Sequence, residues 1–414
     1  FLDDVATQGD AAFEGSEDAA ALRALQGQLH DAGYEVRYED QVESATETFA
    51  AGGTLEPHEA AIPYALSGHR LGSSRLCGIG AAAQRYFGER ADASRAAPHS
   101  YLFAVGGIAG DNVSAAASTG FHPGMARPLS INITNVDGFA DLLARDEVGA
   151  KRADYDRLLD SYVDQYRDRL VWPGDEEAVR SQAFRDVELA VGSVKNTDAI
   201  SSVMDPSLFD SRPGQSCGVG REFDIPGMSL QAARHLLTHP DSPAAYACVS
   251  DIGLFEASGG GGYDTHTRNS TDTARNFENL MSNLTAIINE PGENDPSKLD
   301  LDDTLIILNT EFGRTSRPQG GGSGRNHHPY AYTTAFIGGP ITSAEKGVYG
   351  AIGPDSLTNF ANSAAPSENR IGALLAMGIW PFAQEAFAVS DVRDAFSEEH
   401  AAELATERIL GITL

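Results

Sequence analysis

The segment DTLIILNTEFGR, residues 303–314, is the clearest indication of the fold of this chain. Its first half is a short, continuous apolar run, which is typical of a β-strand that is buried on both faces of a sheet. The run ends at Asn309, and the loop after it carries an acidic residue, Glu311, and a basic residue, Arg314. The segment therefore predicts a central strand that ends in a polar loop.

The same arrangement recurs at other places in the sequence, where an apolar run ends in a glycine turn. The runs cover residues 101–105, 246–252 and 332–337. Helical patterns separate these runs, and strands that alternate with helices favour a mostly parallel sheet covered on both faces. Ligands of such sheets bind beyond the carboxyl ends of the strands. We therefore expect one sheet edge to gather the polar residues that follow the predicted strands: Asp111, Asp264, His266 and Glu311.

The length of 414 residues exceeds the ~250–300 residues that one hydrophobic core usually supports. We expect a helical N-terminal region over residues 1–99, packed on an α/β domain over residues 100–414. A helical insertion is predicted at about 138–240. Within it, apolar residues recur at helical spacing from Tyr155 to Tyr166, and this stripe predicts a buried packing face.

The charge of the chain excludes some classes of partner. Asp and Glu number 59 against 30 Lys and Arg, which gives a formal net charge of −29. Phosphate backbones are bound by clustered basic residues, so nucleic acid is not an expected partner. No apolar run approaches the ~20 residues of a membrane-spanning helix.

The three cysteines, Cys77, Cys217 and Cys248, do not form a recognisable motif. Their number rules out a metal site made of four cysteines, and no CxxC pair is present. One disulfide is possible, and three buried free thiols are the favoured interpretation.

Three short polar clusters in glycine-rich turns predict one shared site. They are Gly262-Tyr263-Asp264-Thr265-His266, Thr310-Glu311-Phe312-Gly313-Arg314 and Asn326-His327-His328-Pro329. Carboxylates and imidazoles are costly to bring together unless they share a cation or a proton. In extended backbone Asp264 and His266 point the same way and suit two ligands of one divalent ion. Oxygen and nitrogen donors favour zinc, manganese or iron.

The roles of the other polar residues stay open at this point. Adjacent residues on a strand face opposite ways, so we expect only one of His327 and His328 to bind the ion directly. Both can instead be exposed loop histidines. Glu311 is a candidate ligand, general base or ion-pair partner of Arg314. Arg314 is a candidate for binding an anionic substrate through two hydrogen bonds.

These clusters, together with Gly338-Gly339-Pro340 and Val348-Tyr349-Gly350, resemble the bacterial domain-of-unknown-function family 1501. The resemblance covers roughly residues 246–350. It implies membership of the alkaline phosphatase and sulfatase superfamily, with an alkaline-phosphatase-like α/β/α sandwich, a mostly parallel central sheet and helical decorations. It also implies an export leader. The chain starts at Phe1 without a methionine, so it is either a fragment or a processed chain. With the export leader that the resemblance implies, we expect a periplasmic or extracellular protein.

The resemblance also implies a metal site. Asp111, Asp264, His266, Asn326, His327 and His328 are the expected metal ligands, and Glu311 and Arg314 are the expected catalytic residues. The expected cofactor is a divalent ion: zinc, manganese or calcium. The expected partners implied by the resemblance are a small anionic ester substrate or an extracellular protein. Two departures weaken this expectation. Asn326 stands where the family usually has an aspartate, and Asp111 is displaced from the family's first acidic turn.

Two functions follow from these features. One is an exported metal-dependent hydrolase of phosphate or sulfate esters. The other is a catalytically degraded family member that serves as an exported binding or structural subunit of a larger assembly, in which the polar cluster persists as a hydrogen-bonded network. A carbohydrate-active enzyme with paired acids does not need the histidines and is less favoured. The sequence does not identify a nucleophile.

Overall fold

The structure is a computed structural model. It describes residues 37–40, 58–70, 73, 75–90, 100–104, 129–132, 149–170, 184, 187–188, 191, 224–240, 244–254, 262–318, 323–328, 331–339, 350–352, 358, 363–384 and 386–411. The strands in these residues are β1 (Arg37–Asp40), β2 (Ser100–Ala104), β3 (Leu129–Asn132), β4 (Tyr246–Val249), β5 (Leu305–Leu308), β6 (Gly313–Pro318), β7 (Arg325–His328) and β8 (Thr333–Gly338). The apolar runs of the sequence thus form β2, β4, β5 and β8.

The described helices lie between these strands along the chain or follow them. They are α1 (His58–Ser67), α2 (Ile79–Arg90), α3 (Gly149–Leu170), α4 (Ile225–Thr238), α5 (Asn269–Ile287), α6 (Pro366–Ala376) and α7 (Glu398–Ala405). Short 3₁₀ turns at Pro381–Ala383 and Val389–Asp391 follow α6, and a π-helical turn at Thr406–Leu410 extends α7. Within the described part of the chain, no helix combines the length and the apolar character needed to cross a bilayer.

One sheet is parallel and has the strand order β3-β2-β4. Tyr101 of β2 pairs with Leu129 of β3 on one side and with Ala247 of β4 on the other. Parallel neighbours need long crossover connections, which is consistent with the strand–helix alternation of the sequence. The carboxyl end of β4 therefore lies at the same edge as the ends of β2 and β3.

A second sheet has the order β1-β8-β5, and both of its pairings are antiparallel. Ile306 of β5 lies opposite Ile337 of β8. Parallel and antiparallel pairings thus occur in separate three-stranded sheets of the described residues. The complete α/β/α sandwich with a mostly parallel central sheet stays a prediction.

The core that supports the polar loops lies between α4, α5 and β5. Met281, Leu284 and Ile287 of α5 are buried, and they pack against partly buried leucines of α4 and against Ile306 and Leu308 of β5. This packing ties the helix that follows Asp264 and His266 to the strand that precedes Glu311. It restricts how far the two polar loops can move apart.

A buried ionic cluster organises the C-terminal part of the chain. Arg370 of α6 is fully buried, and its guanidinium binds the carboxylate of Asp391 at 3.0 Å. His69 and Arg75 bind the other oxygen of the same carboxylate at 3.1 and 2.9 Å. The cluster fixes the residues after α1 against α6. Asn309, at the end of β5, joins this frame because its amide donates to the Ala65 carbonyl of α1 at 3.1 Å.

The prediction of a buried tyrosine stripe on α3 was wrong. Of this stripe only Val163 is buried, whereas Tyr155, Leu158 and Tyr162 are 47–67% exposed. Helical periodicity locates the apolar face of a helix, but it does not indicate what that face packs against. Cys77 is buried and forms no disulfide, as expected, whereas Cys248 is only half-buried; Cys217 lies outside the described residues.

Candidate metal centre

The hairpin β6–β7 places two of the candidate residues side by side. Arg314 of β6 lies directly opposite His327 of β7, and Gly313 lies opposite His328. Residues that face each other across an antiparallel pair project from the same face, whereas adjacent residues on one strand project from opposite faces. Arg314 and His327 therefore share one face of the hairpin. Asn326, whose side chain is exposed, and His328 project from the other face.

The loop before α5 brings Asp264 and His266 to this same face. Gly262 and Tyr263 return to the end of β4, because their amides donate to the carbonyls of Leu254 and Ile252. Two consecutive tight turns follow, in which the Thr265 and His266 amides donate to the carbonyls of Tyr263 and Asp264. The backbone here is turned rather than extended, yet the two side chains converge as predicted. His266 Nε2 lies 3.2 Å from Asp264 Oδ1.

Backbone hydrogen bonds hold this loop against the hairpin. The amide of Arg325 donates to the Thr265 carbonyl, and the amide of Asn269 donates to the Ser323 carbonyl, each at 3.1 Å. Gly324 lies at the centre of this contact. A Cβ atom added there would overlap the carbonyl of His266 and lie 2.7 Å from the Thr267 nitrogen. Glycine is therefore required by the closeness of the two backbones.

Three side-chain atoms from the two segments form a nearly equilateral triangle. His266 Nε2 and His327 Nε2 are 3.1 Å apart. Asp264 Oδ1 lies 3.2 Å from the first nitrogen and 3.3 Å from the second. Among the described residues, Asp264, His266 and His327 are the only group of three or more histidine, cysteine, aspartate or glutamate residues that meets the distances of a metal site.

Neighbouring side chains orient the triangle. The ring of Phe312 lies 4.5 Å from the ring of His327, and the ring of His266 lies 4.9 Å from it. The imidazole of His327 is thus in contact with two ring neighbours, and these contacts restrict its rotation. Phe312 also lies 5.8 Å from the guanidinium carbon of Arg314.

Arg314 supplies positive charge next to the triangle. Its Nη2 donates to Asp264 Oδ1 at 2.7 Å and to the Tyr263 carbonyl at 3.0 Å. Partial burial raises the pKa of Asp264, but the hydrogen bond and charge of Arg314 and the neighbouring histidines outweigh it and lower that pKa to about 2. Asp264, whose side chain is 51% exposed, is therefore an anion at neutral pH.

The remaining predicted site residues have different outcomes. Glu311 is half-buried in the loop after β5, and it does not belong to the close group of ligand atoms. Asp111 lies outside the described residues, so its predicted role as a ligand stays a prediction. Of the adjacent histidines, His327 belongs to the close group of ligand atoms and His328 does not. That only one of them binds an ion directly stays a prediction.

Sequence reasoning gave no role to Asp251, which lies two residues after β4. Its Oδ1 accepts from the Gly253 amide at 2.7 Å, and its Oδ2 accepts from the Tyr263 hydroxyl at 3.2 Å. Burial raises its pKa to about 6, and the nearby Asp224 adds to this rise, while its two hydrogen bonds oppose it. Asp251 therefore anchors the residue that precedes Asp264. The position of Asp251 near the end of the apolar run 246–252 was the sequence signal that could have revealed this role.

Comparison with known proteins finds a family match for the part of the chain that forms this centre. Residues 248–367 match the family described as protein of unknown function (DUF1501). The matched segment contains the triangle, Glu311, Arg314 and the hairpin, and it supports the family resemblance seen in the motifs. No curated protein and no solved structure matches the chain significantly. The placement in the alkaline phosphatase and sulfatase superfamily stays an expectation.

Replacing Gly324 by alanine tests whether the backbone contact holds the site together. We expect G324A to lower the free energy of unfolding by about 1–3 kcal/mol, because the new methyl group forces the loop away from the hairpin. The amides of Asn269 and Arg325 should then exchange faster with deuterium. Gly292→Ala is the control. Its Cβ meets no atom within 4 Å, so only the left-handed backbone (φ 86°) costs stability. Unchanged exchange of both amides in G324A would contradict this role of the contact.

Replacing Asp251 by asparagine tests its buried carboxyl group. The folded-state pKa of Asp251 is about 6, above the ordinary 3.8. Between these two pH values the carboxyl group is protonated in the folded protein and ionised in the unfolded chain. The contribution of Asp251 to stability is thus largest below pH 4 and falls as the pH rises through about 6. As the pH rises across this window, the free energy of unfolding of the wild type should fall by about 1–3 kcal/mol relative to that of D251N. The exposed Asp302→Asn is the control, and parallel curves for wild type and D251N would disprove the assignment.

Proposed function

We propose that this protein is a metal-dependent hydrolase of phosphate or sulfate esters whose ion is held by Asp264, His266 and His327. The observation that carries the proposal is the triangle of ligand atoms with sides of 3.1–3.3 Å. Around one tetrahedral zinc ion, with ligands at 2.0–2.1 Å, neighbouring ligand atoms lie about 3.3 Å apart. The spacing of the three atoms therefore fits one face of a zinc coordination sphere.

Protonation alone accounts poorly for this triangle. If both Nε2 atoms carry hydrogen, their two N–H groups repel each other at 3.1 Å. If one of them carries none, its lone pair faces the carboxylate oxygen of Asp264 at 3.2 or 3.3 Å. Either arrangement leaves one repulsive contact. A cation that accepts all three lone pairs removes this repulsion, and the charge of Asp264 complements it.

The donor set narrows the choice among the expected ions. Two imidazole nitrogens and one carboxylate oxygen are typical of catalytic zinc sites, which leave a further position for water or substrate. Manganese accepts a similar set less selectively, and calcium prefers six to eight oxygen ligands. We therefore favour zinc, with manganese as the alternative.

Each residue of the centre has a role in the proposed reaction. Asp264, His266 and His327 bind the ion, which when present polarises the ester and activates a nucleophile. Arg314, opposite His327, binds the negatively charged ester through its guanidinium fork. Phe312 restricts the ring of His327. Glu311 is the candidate general base in the loop that joins β5 to this hairpin.

The second candidate function is an exported binding or structural subunit without turnover. Two observations favour it. Asp264 Oδ1 already accepts a hydrogen bond from Arg314 at 2.7 Å, so the cluster is partly satisfied without an ion. Asn326, in place of the family's acid, has an exposed side chain on the opposite side of the hairpin from His327. Export of the chain stays a prediction under both functions.

Zinc binding and turnover test the proposal together. The wild-type protein, stripped with chelator and titrated with zinc, should bind one ion per chain and hydrolyse aryl phosphates or aryl sulfates. Asp264→Ala, His266→Ala and His327→Ala should each weaken zinc binding by at least about tenfold, because each removes one ligand atom. His328→Asn is the matched control and should bind zinc as wild type does.

The outcomes separate the two functions. Zinc binding without hydrolysis of either ester favours the binding subunit. Equal zinc affinity in wild type and all three ligand variants would refute the metal centre itself.

A further inference from the structure

The position of Arg314 indicates that the proposed metal ion and an anionic substrate do not bind to this centre independently. Arg314 Nη2 donates its hydrogens to Asp264 Oδ1 and to the Tyr263 carbonyl, so the guanidinium occupies the oxygen that the proposed ion needs. Only 15% of the Arg314 side chain is exposed, and the hairpin register fixes its strand position next to His327. The guanidinium is thus a built-in cation at the metal centre.

A divalent ion at the triangle and the guanidinium at Asp264 Oδ1 repel each other. Both bear positive charge, and both contact the same oxygen, so they would lie only a few ångströms apart in a half-buried site. A tetrahedral oxyanion between them relieves this repulsion, because its oxygens can contact the ion on one side and the guanidinium on the other.

The second arm of the guanidinium supports this arrangement. Arg314 Nη1 is buried and has no hydrogen-bond partner among the residues that the structure describes. A donor of this kind is costly to leave unsatisfied. If the guanidinium leaves Asp264 and turns towards an oxyanion, both of its arms gain acceptors in the paired geometry that arginine forms with phosphate or sulfate.

We propose that zinc and a tetrahedral oxyanion bind to this centre with positive coupling, and that Arg314 is the residue that couples them. Without the oxyanion, Arg314 stays on Asp264 and weakens zinc binding. Without zinc, the Asp264 carboxylate retains Arg314 and weakens oxyanion binding. Each ligand therefore raises the affinity for the other by the same factor, as linkage requires. This inference rests on the metal centre proposed above and specifies how its substrate class is recognised.

The test is a zinc titration, with a chromophoric chelator as competitor, in chloride buffer and in sulfate or phosphate buffer of equal ionic strength. For wild type we expect sulfate or phosphate to tighten zinc binding on the order of tenfold, within the usual range of coupling between two sites. Separate sulfate and phosphate arms show which oxyanion the centre prefers.

Arg314→Gln should bind zinc more tightly than wild type in chloride, since the competing cation is gone, and its zinc affinity should not respond to sulfate or phosphate. Arg325→Gln, on the same hairpin, is the matched control: it removes the same charge, but its guanidinium donates to the Gly324 carbonyl rather than to Asp264. It should keep the coupling. Arg314→Lys retains the charge without the fork, and we expect weak zinc binding with reduced coupling.

The outcomes distinguish this inference from the function on which it rests. Equal coupling in wild type and R314Q, or no coupling in wild type that binds zinc, would overturn the role of Arg314 and leave the metal centre intact. If neither wild type nor R314Q binds zinc, and R314Q unfolds at the same temperature as wild type, the metal centre is overturned as well. Coupling in wild type and R325Q that is lost in R314Q supports the inference.

Discussion

The centre depends on the contact between the backbone of Gly324 and the carbonyl of His266, where two chain segments meet with no room for a side chain. One segment follows β4 and carries Asp264 and His266; the other begins β7 and carries His327. Because backbone hydrogen bonds join them on both sides of the glycine, the imidazoles and the carboxylate are brought together by main-chain geometry. Side chains held in this way lose little further conformational entropy when they bind a ligand, which is what a preorganised site requires.

The electrostatics of the centre differ from those of the whole chain. The protein has a formal net charge of −29, yet Asp264 is surrounded by a guanidinium and two imidazoles. An anionic ester approaching an acidic surface is repelled at long range, and the guanidinium of Arg314 attracts it over short distances. The same guanidinium opposes a second cation at Asp264, so a divalent ion and an anion are more favourable together than either is alone. This balance connects the proposed hydrolase to the coupling assigned to Arg314.

Apolar runs and strand-end position were sufficient to predict β2, β4, β5 and β8 and the meeting of Asp264, His266 and one histidine of the adjacent pair. They could not predict that Arg314 lies opposite His327, because β6 and β7 are polar on both faces and hydrophobic patterning does not set their register. Asp251 and the Asp391 cluster were also missed, since burial of an acid depends on tertiary partners that are distant in sequence. The exposed stripe of α3 shows the same limit for apolar residues.

Zinc K-edge X-ray absorption of the protein loaded with one equivalent of zinc tests the central claim most directly, because it reports the atoms bound to the ion. If Asp264, His266 and His327 hold the metal, the spectrum will show two imidazole rings and oxygen ligands at about 2.0–2.1 Å, and the imidazole multiple scattering will fall to one ring in H327A. A spectrum with sulfur ligands, with oxygen alone, or with two imidazoles that persist in H327A would contradict the claim that Asp264, His266 and His327 share one ion.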